Sequence, residues 1–196
     1  MIVILHNIRS LYNVGSVFRT ADAAGVEKIY LCGITPAPVD AFGRPRQQLT
    51  KVSLGAEKYV EWEHFQSAAR LIDRLKNPAR QSFDNSRRLA GGDGYKIFAI
   101  EQSKNSVPYY SVKIKSAMTR HSDKKIALVL GSEVRDLPAS ILKRADKILE
   151  IPMKGAMIRQ ARHPRRTGRG KESLNVSVAF GIVVFHIISR HKTTRI

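Results

Sequence analysis

Cysteine is nearly absent: Cys32 is the only one in 196 residues. No intrachain disulfide and no cysteine-based metal site can form, and the usage fits a reducing cytoplasm. The six histidines are scattered without paired ligand spacing, so no metal is expected. No Gly-x-Gly-x-x-Gly follows a strand-like run, and no Walker-type loop is present; Gly91, Gly92 and Gly94 precede a strand-like run instead. NAD, ATP and zinc chemistry are therefore disfavoured. The most apolar run, Leu174 to Ile188, is broken by Asn175, Ser177 and His186. It falls short of the roughly 20 residues of a comfortable membrane span. The start, Met1 to His6, lacks the basic segment and cleavage site of a secretory signal. No internal repeat and no domain linker stands out. The expectation is a cytoplasmic protein with no membrane association.

Acidic side chains are scarce. Sixteen Asp and Glu face 34 Lys and Arg, a formal net charge of +18. That excess goes well beyond what solubility needs and favours a polyanionic partner, RNA or DNA, held partly through its phosphates. A basic surface with no specific partner is the alternative.

What the chain does have is apolar material for a core, 43% of its residues, and length enough for a single domain over 1–196. Val3 to Leu5 reads as a short buried strand. Asn7 to Asn13 reads as a turn, and a helix is expected from about Val14 to Ala24 with Gly25 as its stop. Lys28 to Cys32 reads as the next strand, completing the strand-helix-strand start of a parallel α/β sheet. Gly33 to Lys51 is rich in Pro and Gly and reads as a loop. Trp62 to Leu75 has helical periodicity, and Asn77 to Gly94 reads as a polar connection. Tyr95 to Ile100, Ile126 to Leu130 and Lys147 to Ile151 read as strands. Pro138 to Ala145 reads as a short helix with Pro in its first turn, and Leu174 to Ser189 as a long, largely buried one. The fold class is α/β: a mostly parallel sheet flanked by helices.

Four places carry groups suited to chemistry. Gly131-Ser132-Glu133 directly follows an apolar strand, where open parallel sheets bind ligands; a plain turn, with Glu133 as a helix-capping acid, is the alternative. Ile151-Pro152-Met153 ends the next strand, and its apolar pair suits a flat heterocycle as well as core packing. At the front of the last helix Ser173 suits a cap, whereas Asn175, one position inside, is a mediocre helix residue that capping does not explain. Asn13 and Arg19 sit almost two turns apart, about 9 Å along a helix axis. The Arg19 side chain either reaches back to a shared ligand or snorkels at the surface.

In this order the motifs resemble those of the SpoU/TrmH family of RNA ribose 2′-O-methyltransferases. The first runs from Asn7 through Asn13-Val14-Gly15 to Arg19-Thr20-Ala21-Asp22. The second is Leu128 to Glu133. The third is Ile151 to Met153 together with Ser173 to Ala179. Gly33 to Pro36 and Ser53 to Glu57 also match family segments. The resemblance implies a deep trefoil knot in the C-terminal half, a homodimer and S-adenosylmethionine as cofactor. It places that cofactor against Ile100, Glu101, Gly131, Ile151, Met153 and Leu174, largely through backbone. It assigns Arg19 to activation of the ribose 2′-hydroxyl of tRNA or rRNA, supported by Asn13, Glu133, Ser173 and Asn175. A guanidinium keeps its proton in proteins. Arg19 therefore either loses it in part to a nearby phosphate or acts electrostatically.

The chain departs from the family between Met153 and Ser173, where about fifteen extra residues, 156–170, intervene. They include Arg159, Arg162, Arg165, Arg166 and Arg169. With Arg9 they are the candidate RNA-binding residues, the insertion serving as a gripping arm or simply as a solvated loop. A catalytically silent RNA-binding or ribosome-assembly protein on the same scaffold is the runner-up. A basic nucleic-acid-binding protein without a cofactor is third. No separate RNA-binding domain is expected.

Overall fold

Short apolar runs without polar alternation form the central strands, which are covered on both faces as parallel sheets require. Ile2–His6 (β1), Lys28–Cys32 (β2), Glu61–Phe65 (β3), Lys96–Ile100 (β4), Val107–Pro108 (β5), Ile126–Gly131 (β6) and Lys147–Glu150 (β7) make one sheet. Its order is β3-β2-β1-β6-β4-β7-β5, and every pairing is parallel. The computed structural model describes residues 1–77, 94–112, 125–132, 136–153 and 174–192.

Alternate residues of the central strands feed two cores. Val3, Leu5, Leu128 and Leu130 point to the face covered by the helices Leu11–Ala23 (α1) and Val176–Lys192 (α5), with Phe18 and Phe180 fully buried between them. Ile2, Ile4, Ala127 and Val129 point to the face covered by Ala68–Lys76 (α3) and Ala139–Leu142 (α4). The helix Gln47–Ser53 (α2) packs beside α1.

Several boundaries differ from the sequence-based expectation, each for a local reason. Helix α1 starts at Leu11, not Val14, because Ser10 caps it: its Oγ accepts from the Asn13 amide at 3.3 Å. Asn13 is thus in the first turn rather than before the helix. The expected loop from Gly33 to Lys51 ends in α2. The expected helix from Trp62 to Leu75 is two elements: the edge strand β3, then α3, capped by Ser67 accepting from the Arg70 amide at 3.4 Å. Helix α5 starts at Val176 rather than Leu174. The expected connection from Asn77 to Gly94 lies mostly outside the described residues.

The order carries a topological consequence. The chain moves outward from β1 through β2 and β3, then returns to build the other half beyond β6. Strand β6 fills the gap between β1 and β4. Crevices at such reversals, beyond the carboxyl ends of the strands, are where open α/β sheets bind ligands.

Candidate functional site

A crevice opens beyond the carboxyl ends of β4, β6 and β7, beside the start of α5, and encloses about 640 Å³ counting its open mouth. Ile100 ends β4, Gly131 ends β6, Ile151 and Met153 follow β7, and Leu174 leads into α5. With Glu101, these six were expected from the sequence, and all six line the same cleft. Ile151 also packs against the core, as its packing reading expected. Sequence reasoning missed Gln102, Asp136, Glu150, Val176 and Ala179, which line it too. A signal was available for four of them: Val176 and Ala179 fall within the Ser173 to Ala179 motif. Gln102 follows Glu101, and Glu150 precedes Ile151, at strand ends already singled out.

Glu101 is the hub of the walls. Its backbone N–H donates to Leu149 O at 3.0 Å, joining β4 to β7. Its carboxylate accepts from the Leu137 amide at 2.9 Å and from the Gln102 amide at 2.9 Å. Burial pushes the Glu101 carboxyl above its ordinary range. The two amides pull it back, and the neighbouring Asp136 charge adds to the rise. Across the cleft Glu150 accepts from Ser106 Oγ at 2.7 Å. In a chain of net charge +18, the cleft has three carboxylates on its wall, Glu101, Asp136 and Glu150. Gly131 is needed for space. A Cβ there would stand 2.9 Å from Leu137 Cγ and Cδ2, and Leu137 is buried and pinned to Glu101.

Between the lining residues Leu174 and Val176, Asn175 Nδ2 donates to Asn13 Oδ1 at 3.1 Å, bringing the starts of α5 and α1 together across 162 positions of sequence. Asn175 Oδ1 accepts from the Ser177 amide at 2.9 Å and the Ser177 hydroxyl at 2.7 Å. Asn175 thus caps α5, which begins two residues later than expected, and Asn is among the best N-caps; Ser173, the cap expected from the sequence, lies outside the described residues.

The family model for the "SpoU rRNA Methylase family" matches residues 1–158, most of the chain. This chain belongs to the SpoU rRNA methylase family. The match spans the first and second motifs and runs past Met153, and α5 lies beyond it. Among curated proteins the chain is 27% identical over 185 residues to a tRNA (guanosine(18)-2′-O)-methyltransferase of Aquifex aeolicus, covering 94% of this chain and 67% of that one. The crystal structure of the A. aeolicus TrmH/SpoU tRNA modifying enzyme matches with a TM-score of 0.69 at 24% identity, over 98% of this chain and 76% of that one. That of an AdoMet-bound rRNA methyltransferase from Sinorhizobium meliloti matches with a TM-score of 0.67 at 24% identity, over 97% of this chain and 56% of that one. At that identity the structural likeness shows the fold.

For a SpoU-family chain the placement of the arginines is informative. Arg19 is exposed, stands outside the cleft lining and makes no hydrogen bond or ion pair among the described residues. It shares one face of α1 with Tyr12, seven positions earlier and 56% exposed. Arg9 is exposed in the loop after β1. Glu133, Ser173, Arg159, Arg162, Arg165, Arg166 and Arg169 lie outside the described residues. No group of three or more His, Cys, Asp or Glu suited to a metal occurs among the described residues, and no described helix is long and apolar enough to cross a membrane.

Proposed function

We propose that this chain is an S-adenosylmethionine-dependent RNA methyltransferase that modifies a ribose 2′-hydroxyl of tRNA or rRNA. One observation carries the reading: six residues from four separate segments converge on one cleft beyond the carboxyl ends of the parallel strands β4, β6 and β7. The donor set fits the cofactor. Ile100, Ile151, Met153 and Leu174 offer apolar walls for a flat adenine. Gly131 leaves the β6 backbone open to close approach. Glu101, Asp136 and Glu150 suit a sulfonium cation rather than a phosphate-bearing cofactor. When bound, the cofactor supplies an electrophilic methyl with a good leaving group.

The rest falls to the chain. Asn13 and Asn175, already joined, line up at the mouth to orient a ribose. Arg19 holds a phosphate beside the 2′-hydroxyl and stabilises the charge that develops on its oxygen, while the proton leaves to phosphate or solvent. Glu133 and Ser173 complete the site as the family motif assigns them. The exposed face of α1 with Tyr12 and Arg19, beside α5 with Val178 and Phe185 about half-exposed, suits pairing with a second copy. A homodimer of that kind sets Arg19 at a subunit boundary. The deep trefoil knot, the single domain over 1–196 with its basic insertion at 156–170, the RNA-binding arginines Arg9, Arg159, Arg162, Arg165, Arg166 and Arg169, and a cytoplasmic location belong to the same proposal.

The test is methyl transfer from labelled S-adenosylmethionine to RNA from cells lacking the protein, with cofactor binding followed by calorimetry. Arg19→Ala should lower transfer roughly 100-fold or more while cofactor affinity and melting temperature hold. Binding without transfer by the unaltered protein would favour the silent RNA-binding scaffold, and no binding at all would reject the cofactor.

A further inference from the structure

The loop between β2 and α2 holds a feature that the cleft does not use. Phe42 at its tip is 83% exposed, although burying a phenyl ring contributes about 1.5–3 kcal/mol. The loop presenting it is built, not slack. Asp40 Oδ1 accepts from the Phe42 amide at 2.8 Å and the Arg44 amide at 2.9 Å. The Asp40 amide donates to Arg44 O at 2.9 Å, and that of Arg46 to Pro38 O at 2.9 Å. Val39 bridges Pro45 in antiparallel fashion. Pro38 is buried at the foot. The Arg44 guanidinium lies 5.7 Å from the Phe42 ring centroid, within cation–π range.

Position and charge say what this tip meets. Strand β2 ends at Cys32 on the same sheet edge as Gly131, with only β1 between β2 and β6. Two strand spacings are about 10 Å. The loop is tied to its neighbour, where Thr35 Oγ1 accepts from the Ile8 amide at 3.1 Å, next to exposed Arg9. Arg44 flanks the ring, Arg46 at the foot of the loop donates from Nε to Val39 O at 3.3 Å, and Asp40, the only acid between Gly33 and Arg46, is committed to backbone amides. A protein-docking patch calls for several contiguous large apolar groups. A lone aromatic with a cation beside it suits a nucleobase.

We propose that the Phe42–Arg44 hairpin is a stacking platform for an unpaired base of the RNA substrate, with Arg9 taking a flanking phosphate. This rests on the RNA-modifying reading above. It makes the enzyme select RNA that is single-stranded close to the modified ribose.

The test uses fluorescence anisotropy with a labelled mixed-sequence single-stranded dodecaribonucleotide and a blunt RNA duplex of the same length. The unaltered protein is compared with Phe42→Ala, Phe42→Tyr and Arg44→Ala. Phe42→Ala should weaken single-strand binding roughly 5- to 100-fold and duplex binding little. Phe42→Tyr should restore it, and Arg44→Ala should fall between. Melting temperature and S-adenosylmethionine affinity should not move, because the ring is exposed and outside the cleft. Normal single-strand binding by Phe42→Ala overturns the platform and leaves the RNA reading standing. Equal losses on both probes also overturn it, pointing to charge rather than stacking. Self-association that Phe42→Ala abolishes, with RNA affinity intact, assigns the tip to a protein interface. Failure of the unaltered protein to bind either RNA sinks the RNA reading along with the platform.

Discussion

Gly33 shows how much one residue can decide. Its φ is +65°, and a Cβ there would stand 2.1 Å from Asn7 Oδ1. That oxygen is itself committed, accepting from the Ile34 amide at 3.1 Å, while Asn7 holds a left-handed φ of 56°. Gly33→Ala meets both a backbone penalty and a clash, so urea unfolding should record a loss of at least about 2 kcal/mol. Gly43, with φ +76° and nothing within 4 Å, is the control, and Gly43→Ala should lose only about 1–2 kcal/mol. Equal losses at the two positions would remove Asn7 from the account. None of this was legible in the chain, because the two partners stand far apart in sequence and meet only through β1–β2 pairing. Glu101 offers a second test. Its folded-state carboxyl is raised, so the folded chain keeps a proton that the unfolded chain has lost. Its contribution to stability is therefore whole below the ordinary value of 4.5 and lost as pH rises through the raised one. A cation in the cleft favours the charged form, so S-adenosylmethionine binding should release a proton in that window. Calorimetry in two buffers of different ionisation enthalpy should show unequal heats there for the native protein and equal heats for Glu101→Gln. Equal heats for both proteins would discharge Glu101 from cation binding.

Helix α5 shows what spacing reveals about an element and what it hides. Its existence was plain from a long apolar run, but its start was not, because Ser173 and Asn175 are both good caps. The bonds from Ser177 to Asn175 show that Asn175 caps it. Asn175 then does two jobs, capping α5 and holding Asn13, and the two can be separated. Asn175→Ala should lose about 1 kcal/mol of stability, and Asn175→Ser should recover most of it. The serine is too short to keep the Asn13 bond, so methyl transfer should stay depressed in both variants. Full activity in Asn175→Ser would leave capping as the only role. Elsewhere the misreadings have one cause. Helix α2 has seven residues and β3 has five, mostly exposed along the sheet edge. Neither presents a full period of buried positions, so the surrounding polar residues drown the pattern. The central strands β1, β4 and β6 were legible because burial on both faces leaves continuous apolar runs.

At the scale of the whole molecule, charge was readable directly, whereas strand order was not. That β6 lies between β1 and β4 depends on pairing between segments more than a hundred residues apart, which no local pattern encodes. Charge needs no such pairing, and it is unevenly spread. The insertion at 156–170 holds five arginines and no acid, so removing their charges takes the formal net charge from +18 to +13. Each phosphate that is no longer neutralised should flatten the dependence of log affinity on log salt by about 0.7–0.9. Replacing Arg159, Arg162, Arg165, Arg166 and Arg169 together by Gln keeps the chain length between Met153 and Ser173, so any loop that closes over the cleft is left its span. If the insertion grips RNA, that variant should bind tRNA with a salt slope shallower by up to about 3.5–4.5. Its affinity should fall most at low salt, where released counterions matter most, and converge on that of the native protein as salt rises. Cofactor affinity should be unchanged, since the carboxylates and apolar walls of the cleft are untouched. An unaltered slope would mean that the five guanidinium groups stay in solvent when RNA binds, and that the polyanion is held by the surface around Arg9 and the β2–α2 hairpin instead.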